Sequence, residues 1–167
     1  MTHHLAGSLP QRVADALAMQ LKQVDKKDQR QAAQQYFKEI ERWLDAHHGD
    51  AWLRDRGAAD YVVETIRCYE RAGYWHVMAY AVMPNHLHLF FRCGTLSLSD
   101  VMRRFKRCTG REANQRLGRV GQRFWQREWF DHWSRSAQED DKIVAYIRNN
   151  PVRAGLAARP EDWPWAG

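Results

Sequence analysis

Hydrophobic residues recur at helical spacing over three long stretches of the first half of the chain, then change period in the middle. Val13, Leu17, Met19 and Leu21 predict a helix that Ser8 and Pro10 open and that runs to about residue 24. Tyr36, Phe37, Ile40, Trp43 and Leu44 predict a second over about 28–47, stopped by Gly49, and Val62, Val63, Ile66 and Tyr69 a third over about 58–72. These three read as scaffold. From Tyr74 onward the run 75–82 is rich in β-forming residues, Met83-Pro84-Asn85 has turn chemistry, and 86–92 reads as the return strand of a hairpin. Ser97, with Asp100 three residues on, caps a basic helix to about Leu117. A short strand over 124–130 and a helix over about 137–149 follow, the latter with Ile143, Val144 and Ile147 on one side and Pro151 ending it.

The return strand carries the first candidate chemistry. Strand side chains alternate faces, so His86 and His88 point the same way while Leu87, Leu89 and Phe91 point to the other side. Two adjacent imidazoles suit one divalent metal ion, although the same spacing also serves two polar residues on a half-buried strand. On the last helix, Tyr146 and Asn150 are spaced i, i+4 and leave the same surface. Two histidines, a carboxamide and a tyrosine are the groups needed for metal-assisted phosphoryl transfer with a covalent tyrosine intermediate. Asn149, at i+3, is the neighbouring amide.

Composition narrows the partner. The chain has 167 residues, enough for one core, with 26 basic and 20 acidic residues and a formal net charge of +6. Between Val101 and Arg127 stand Arg103, Arg104, Lys106, Arg107, Arg111, Arg116, Arg119, Arg123 and Arg127 against the single acid Glu112. Arginine suits phosphate oxygens and stacks on bases, so nucleic acid is the leading partner. Eight tryptophans, Trp125, Trp129 and Trp133 among them, are expected mostly in the core, with any exposed ones available to stack on unpaired bases. Cys68, Cys93 and Cys108 have no pairing spacing and read as buried or inert thiols. With no apolar stretch of membrane-spanning length and no leader-like start, the cytoplasm is the expected location.

Four stretches carry a family resemblance: 81–88 around the histidine pair, Phe124-Trp125-Gln126-Arg127-Glu128-Trp129-Phe130-Asp131, the run 146–156 from Tyr146 to Leu156, and Arg159-Pro160-Glu161-Asp162-Trp163-Pro164-Trp165. In this order and spacing the chain resembles the single-tyrosine HUH transposases, and within them the REP-associated tyrosine transposases, over about residues 2–166. The resemblance implies an α+β fold with a ferredoxin-like antiparallel sheet and helices packed on it, the periodicity alone having placed helices on one face. It implies a single domain over 1–167, with 11–72 a helical scaffold and 74–156 the catalytic core, and a first strand longer than the five residues before Ala6, so that the sheet is expected to lose part of that strand.

For the chemistry, the resemblance implies Tyr146 as nucleophile and His86, His88 and Asn150 as ligands of Mg2+ or Mn2+, while their charge makes Arg103, Arg104, Lys106 and Arg107, with Arg148 and Arg153 beside the nucleophile, the expected contacts to DNA. The substrate would be single-stranded or hairpin DNA, cut and rejoined through a 5′-phosphotyrosine, with the protein a monomer or homodimer. Glu128 and Asp131 stand near the basic stretch as possible structuring acids. A DNA-binding protein of the same fold without cleavage, and a metal-dependent nuclease that activates water, are the competing expectations.

Overall fold

The computed structural model describes residues 1–9, 13, 19, 29–46, 49–127 and 134–167. The helix expected over 8–24 lies outside the described residues except for Ser8 and Leu9 at its start and for Val13 and Met19, both helical. Glu128, Trp129, Asp131 and Trp133 lie outside them as well.

Three strands form an antiparallel sheet in the order β1-β3-β2: β1 (Thr2–His4), β2 (Trp75–Val82) and β3 (His86–Cys93). Four helices accompany them among the described residues: α1 (Gln29–Asp45), α2 (Arg56–Arg71), α3 (Leu98–Arg116) and α4 (Ala137–Arg153). The architecture is α+β, as expected. Although only three residues long, β1 pairs fully against β3, with Thr2 opposite His88 and His4 opposite His86.

Helices cover both faces of the sheet, not one. Tyr80, Val82, Leu87 and Leu89 pack with Val62 and Ile66 of α2 and with Met102 and Phe105 of α3. On the other side Ala79, Ala81, Met83 and Phe90 meet Ile147 of α4, with Ile143, Val144 and Tyr146 around it. Strands apolar on both sides need two covers. Val77 and Tyr80 reach the same face although three residues apart, because the register shifts at a bulge between Val77 and Ala79. Beyond the bulge, alanines at 79 and 81 present little bulk to α4.

Two further segments extend the sheet without becoming strands. Trp125 bridges Leu5, with Ala6 and Gln126 bonding the carbonyls of Phe124 and His4 at 2.8 and 3.0 Å, so the strand expected over 124–130 is one isolated bridge where it is described. Residues 165–167 lie along the outer edge of β2, where Val82 N–H donates to the Trp165 carbonyl at 2.9 Å. The motif around 159–165 braces that edge. Trp163 Nε1 donates to the Val82 carbonyl at 3.0 Å and Trp165 Nε1 to Asp60 at 2.8 Å.

Pro151 does not end its helix, which continues to Arg153. A helical proline costs about 3 kcal/mol, but this one sits in the last turn, is buried, and is followed by a closing motif. Gly155, at φ 69°, donates to the Val152 carbonyl at 3.0 Å, and Leu156 donates to the Pro151 carbonyl at 2.8 Å. Those bonds satisfy the terminal carbonyls through a left-handed residue that glycine adopts without strain. The cysteines are unpaired, as expected, but Cys68 and Cys93 are exposed. None of the described tryptophans is exposed, which fits their packing role.

Candidate active site

The turn before β3 is fixed from three sides. Leu5 N–H donates to the Asn85 carbonyl at 2.9 Å, Leu53 N–H to the Pro84 carbonyl at 3.0 Å, and the Asn85 amide to the Leu44 carbonyl of α1 at 2.9 Å. That last bond orients the Asn85 side chain. Its nitrogen is committed to Leu44, so its oxygen faces His86 Nδ1 at 2.7 Å, and an amide oxygen can only accept. His86 Nδ1 therefore carries the proton, and its Nε2 presents a lone pair.

That lone pair faces His88. The two Nε2 atoms are 3.0 Å apart and the rings meet edge to face, 88° between planes. His88 Nδ1 lies 3.0 Å from Thr2 Oγ1, so β1 supplies a partner to the second imidazole. Both histidines are buried, 0% and 2% exposed. Burial, followed by nearby positive charge including Arg153, holds the His88 pKa down at about 3, so the ring stays neutral.

The pair fits a divalent cation. Two adjacent donors about 2.1 Å from an octahedral ion stand about 3.0 Å apart, and each ring has a second partner on its far nitrogen. Among the described residues no three His, Cys, Asp or Glu side chains are grouped to hold a metal. Glu41 approaches His88 at Nδ1, 3.7 Å away, rather than at the Nε2 edge. A third protein ligand would therefore be of another kind. Asn150 is 0% exposed and neither its amide oxygen nor its nitrogen has a hydrogen-bond partner, whereas Asn149 is exposed.

Helix α4 brings Tyr146 to the pair, its ring 5.9 Å from that of His88 and edge-on at 84°. Its hydroxyl donates to Oε2 of Glu41 on α1. The Arg153 guanidinium lies over the phenol ring, 4.8 Å from its centroid. Burial, then the Glu41 charge, raises the Tyr146 pKa above the ordinary 10, while burial pushes Glu41 up to about 7. Sequence reasoning missed Glu41 and Thr2. The signal for Glu41 was a carboxylate between Ile40 and Leu44 on the buried side of a scaffold helix.

The expected DNA contacts divide. Arg153 sits at the tyrosine and Arg148 is exposed on the same helix. Arg103, Arg104, Lys106 and Arg107 belong to α3, across the sheet from Tyr146. Lys106 ties down a neighbouring segment through the carbonyls of Gln126 and Arg127, the latter at 3.1 Å, and Arg103 pairs with Asp100 at 2.5 Å. Arg104, Arg107 and Arg111 are exposed and form no salt bridge among the described residues. Beside them opens a hollow of about 970 Å³, with Arg103, Lys106, Arg107, Arg111, Arg123 and Arg127 in its wall and no carboxylate among the described residues that line it.

The chain thus combines a helix-covered antiparallel sheet, a buried histidine pair on its central strand and a tyrosine helix packed over that pair. A sequence model of the transposases described as IS200-like matches residues 50–150, more than half of the chain, and the protein belongs to that family. It is 24% identical over 131 residues to a Haemophilus influenzae protein described as a REP-associated tyrosine transposase, an alignment covering 68% of this chain and 74% of the relative. The fold is similar to the solved structure of a REP-associated tyrosine transposase bound to a REP hairpin, with a TM-score of 0.54 and 21% identity over 70% of this chain and 67% of that one. No helix among the described residues is long and apolar enough to cross a membrane.

Proposed function

We propose that the protein is a metal-dependent single-tyrosine transposase that cleaves and rejoins single-stranded, hairpin-forming repeat DNA. The observation that carries this reading is the placement of Tyr146 by α4 edge-on to His88, beside two Nε2 atoms 3.0 Å apart. Tyr146 Oη would attack the scissile phosphorus, forming a 5′-phosphotyrosine as the bond to the 3′-oxygen breaks and leaves a 3′-hydroxyl. Attack on that linkage by a 3′-hydroxyl reverses the step and joins new ends, so strand transfer needs no separate energy source.

His86, His88 and Asn150 would hold Mg2+ or Mn2+, which supplies charge neutralisation and orientation of the phosphate. For His88 to offer its Nε2 lone pair, its proton must sit on Nδ1, and Thr2 Oγ1 at 3.0 Å is there to accept it. Asn150, whose buried amide is otherwise unpartnered, gains a partner in the same event. Arg153 would offset charge beside the phenol.

The duplex stem of a hairpin would rest its phosphates on Arg104, Arg107 and Arg111, which stack at about 6 Å intervals or closer along α3. Because that surface and Tyr146 lie on opposite sides of the sheet, the strand to be cut must pass around it. A flexible unpaired strand suits such a path. The hairpin substrate is also what the solved relative binds.

The test is to incubate the protein and Mn2+ with labelled hairpin DNA carrying a single-stranded flank and to resolve the products on denaturing gels. A covalent protein–DNA band that disappears on chelation and in Tyr146→Phe is expected. Tight binding with no such band would favour a DNA-binding protein, and cleavage that survives Tyr146→Phe a water-activating nuclease.

A further inference from the structure

We propose that Glu41 is a positioning residue for Tyr146, its buried carboxylate holding the phenol hydroxyl beside the histidine pair. The assignment rests on the reading of Tyr146 as nucleophile. Three contacts from different parts of the chain fix this side chain: His88 of β3 against the ring edge at 5.9 Å, Arg153 of α4 over the ring face at 4.8 Å, and Glu41 of α1 at the hydroxyl. Arg153 also reaches the phenol oxygen, but as a donor from the same helix, whereas Glu41 is the acceptor that takes the hydroxyl hydrogen and ties the oxygen to a second element.

The location of Glu41 argues against a purely structural carboxylate. It is 6% exposed and lies between Ile40 and Leu44, each 0% exposed, which pack with Leu9. An apolar residue there would extend that cluster, whereas a buried carboxylate costs stability unless it is paired. Its Oε2 accepts from Tyr146, and its Oε1, with no hydrogen bond, faces His88 Nδ1 at 3.7 Å. One carboxylate thus touches both the candidate nucleophile and a candidate metal ligand. A displacement of about 1 Å in a reacting group can cost about a hundredfold in rate, so losing this anchor should be felt in the chemical step rather than in DNA affinity.

The experiment compares Glu41→Leu, which lacks an acceptor, with Glu41→Gln, whose amide oxygen can still accept from the phenol. Adduct formation is timed at saturating hairpin DNA with Mn2+, and hairpin affinity is measured separately. Glu41→Leu is expected to slow adduct formation roughly tenfold or more with affinity unchanged, and Glu41→Gln to restore most of the rate. Glu41→Met, unbranched and of similar length, is a second acceptor-free variant should leucine not fit. Thermal midpoints of Tyr146→Phe in the wild-type and Glu41→Leu backgrounds read the contact without catalysis, and the two effects are expected to be non-additive. Wild-type rates in the folded Leu or Met variant, or strict additivity, would overturn the assignment. No adduct from the wild-type protein would instead overturn the nucleophile reading, and the role of Glu41 with it.

Discussion

His86 and His88 face one another through Nε2 atoms 3.0 Å apart, with Asn85 and Thr2 at their outer nitrogens. A site preorganised in this way should bind a divalent ion without rearranging the sheet. Mn2+ or Mg2+ is therefore expected to raise the thermal midpoint, by the equivalent of about 2.7 kcal/mol at a hundredfold excess over Kd. His86→Ala and His88→Ala should abolish that shift. Calorimetry with and without chelator checks it, and a midpoint indifferent to both ions would count against the site.

Asn150 should reveal a cost accepted for binding. Its amide is fully buried with neither polar atom partnered, and such groups destabilise a fold by about 1–3 kcal/mol. Asn150→Leu, of similar size and apolar, is expected to stabilise the metal-free protein by about that amount while weakening the metal-induced shift. Denaturant midpoints with and without Mn2+ measure both effects. A destabilised Leu variant would show that the amide has a structural partner.

Much of this site was legible because its parts are local. Period-two alternation put His86 and His88 on one face, and the i, i+4 spacing put Tyr146 and Asn150 on one helix side. The cap at Ser97 and the bounds of α1 to α3 followed from spacing and turn residues. What escaped were relationships between distant segments. Glu41 meets Tyr146 across 105 positions, and although its place between Ile40 and Leu44 marks it as facing the core, nothing in the sequence names its partner. Thr2 becomes the partner of His88 only once β1 pairs with β3. The second helical cover escaped because Ala79 and Ala81 give a weak apolar signal, and Pro151 misled because the closing turn at Gly155 outweighs its local preference.

Acid should destabilise the metal-free protein in a recognisable way. Burial holds His88 at about 3 and His3 well below 6.5, whereas both titrate near 6.5 when unfolded. Over that window the unfolded chain takes up protons that the folded one refuses, so stability present at neutral pH is lost as pH falls from about 6.5 towards 3. Glu41 acts oppositely: raised from 4.5 to about 7, it favours the folded state at the acid end of its own window and weakens stability as pH rises through it. Between 4.5 and 6.5 the single carboxylate offsets one of the two histidines, and below 4.5 it no longer opposes either. Urea midpoints should therefore fall most steeply below about pH 4.5, and His88→Gln should flatten that limb. An unchanged limb in His88→Gln would contradict a neutral buried His88.

The exposed face of α3 should reveal itself through salt. Each phosphate neutralised by a basic side chain adds about 0.9 to the slope of log affinity against log salt. Replacing Arg104, Arg107 and Arg111 by alanine is expected to reduce the slope for hairpin DNA by about one unit per residue, across hairpins of different sequence. These side chains lie across the sheet from Tyr146, so the rate of adduct formation at saturating DNA should stay unchanged. Fluorescence anisotropy over a salt series measures the slope. An unaltered slope would move the DNA to another surface.

Tyr146 as the point of covalent attachment is the central claim, and mass spectrometry of the trapped complex tests it most directly. After reaction with hairpin DNA and Mn2+, followed by nuclease and tryptic digestion, cleavage after Lys142 and Arg148 releases residues 143–148, a peptide whose sole tyrosine is Tyr146. The predicted result is that this peptide carries a nucleotide through a 5′-phosphate on the phenol oxygen. A nucleotide on any other residue, or DNA cleaved with no modified peptide, would contradict it.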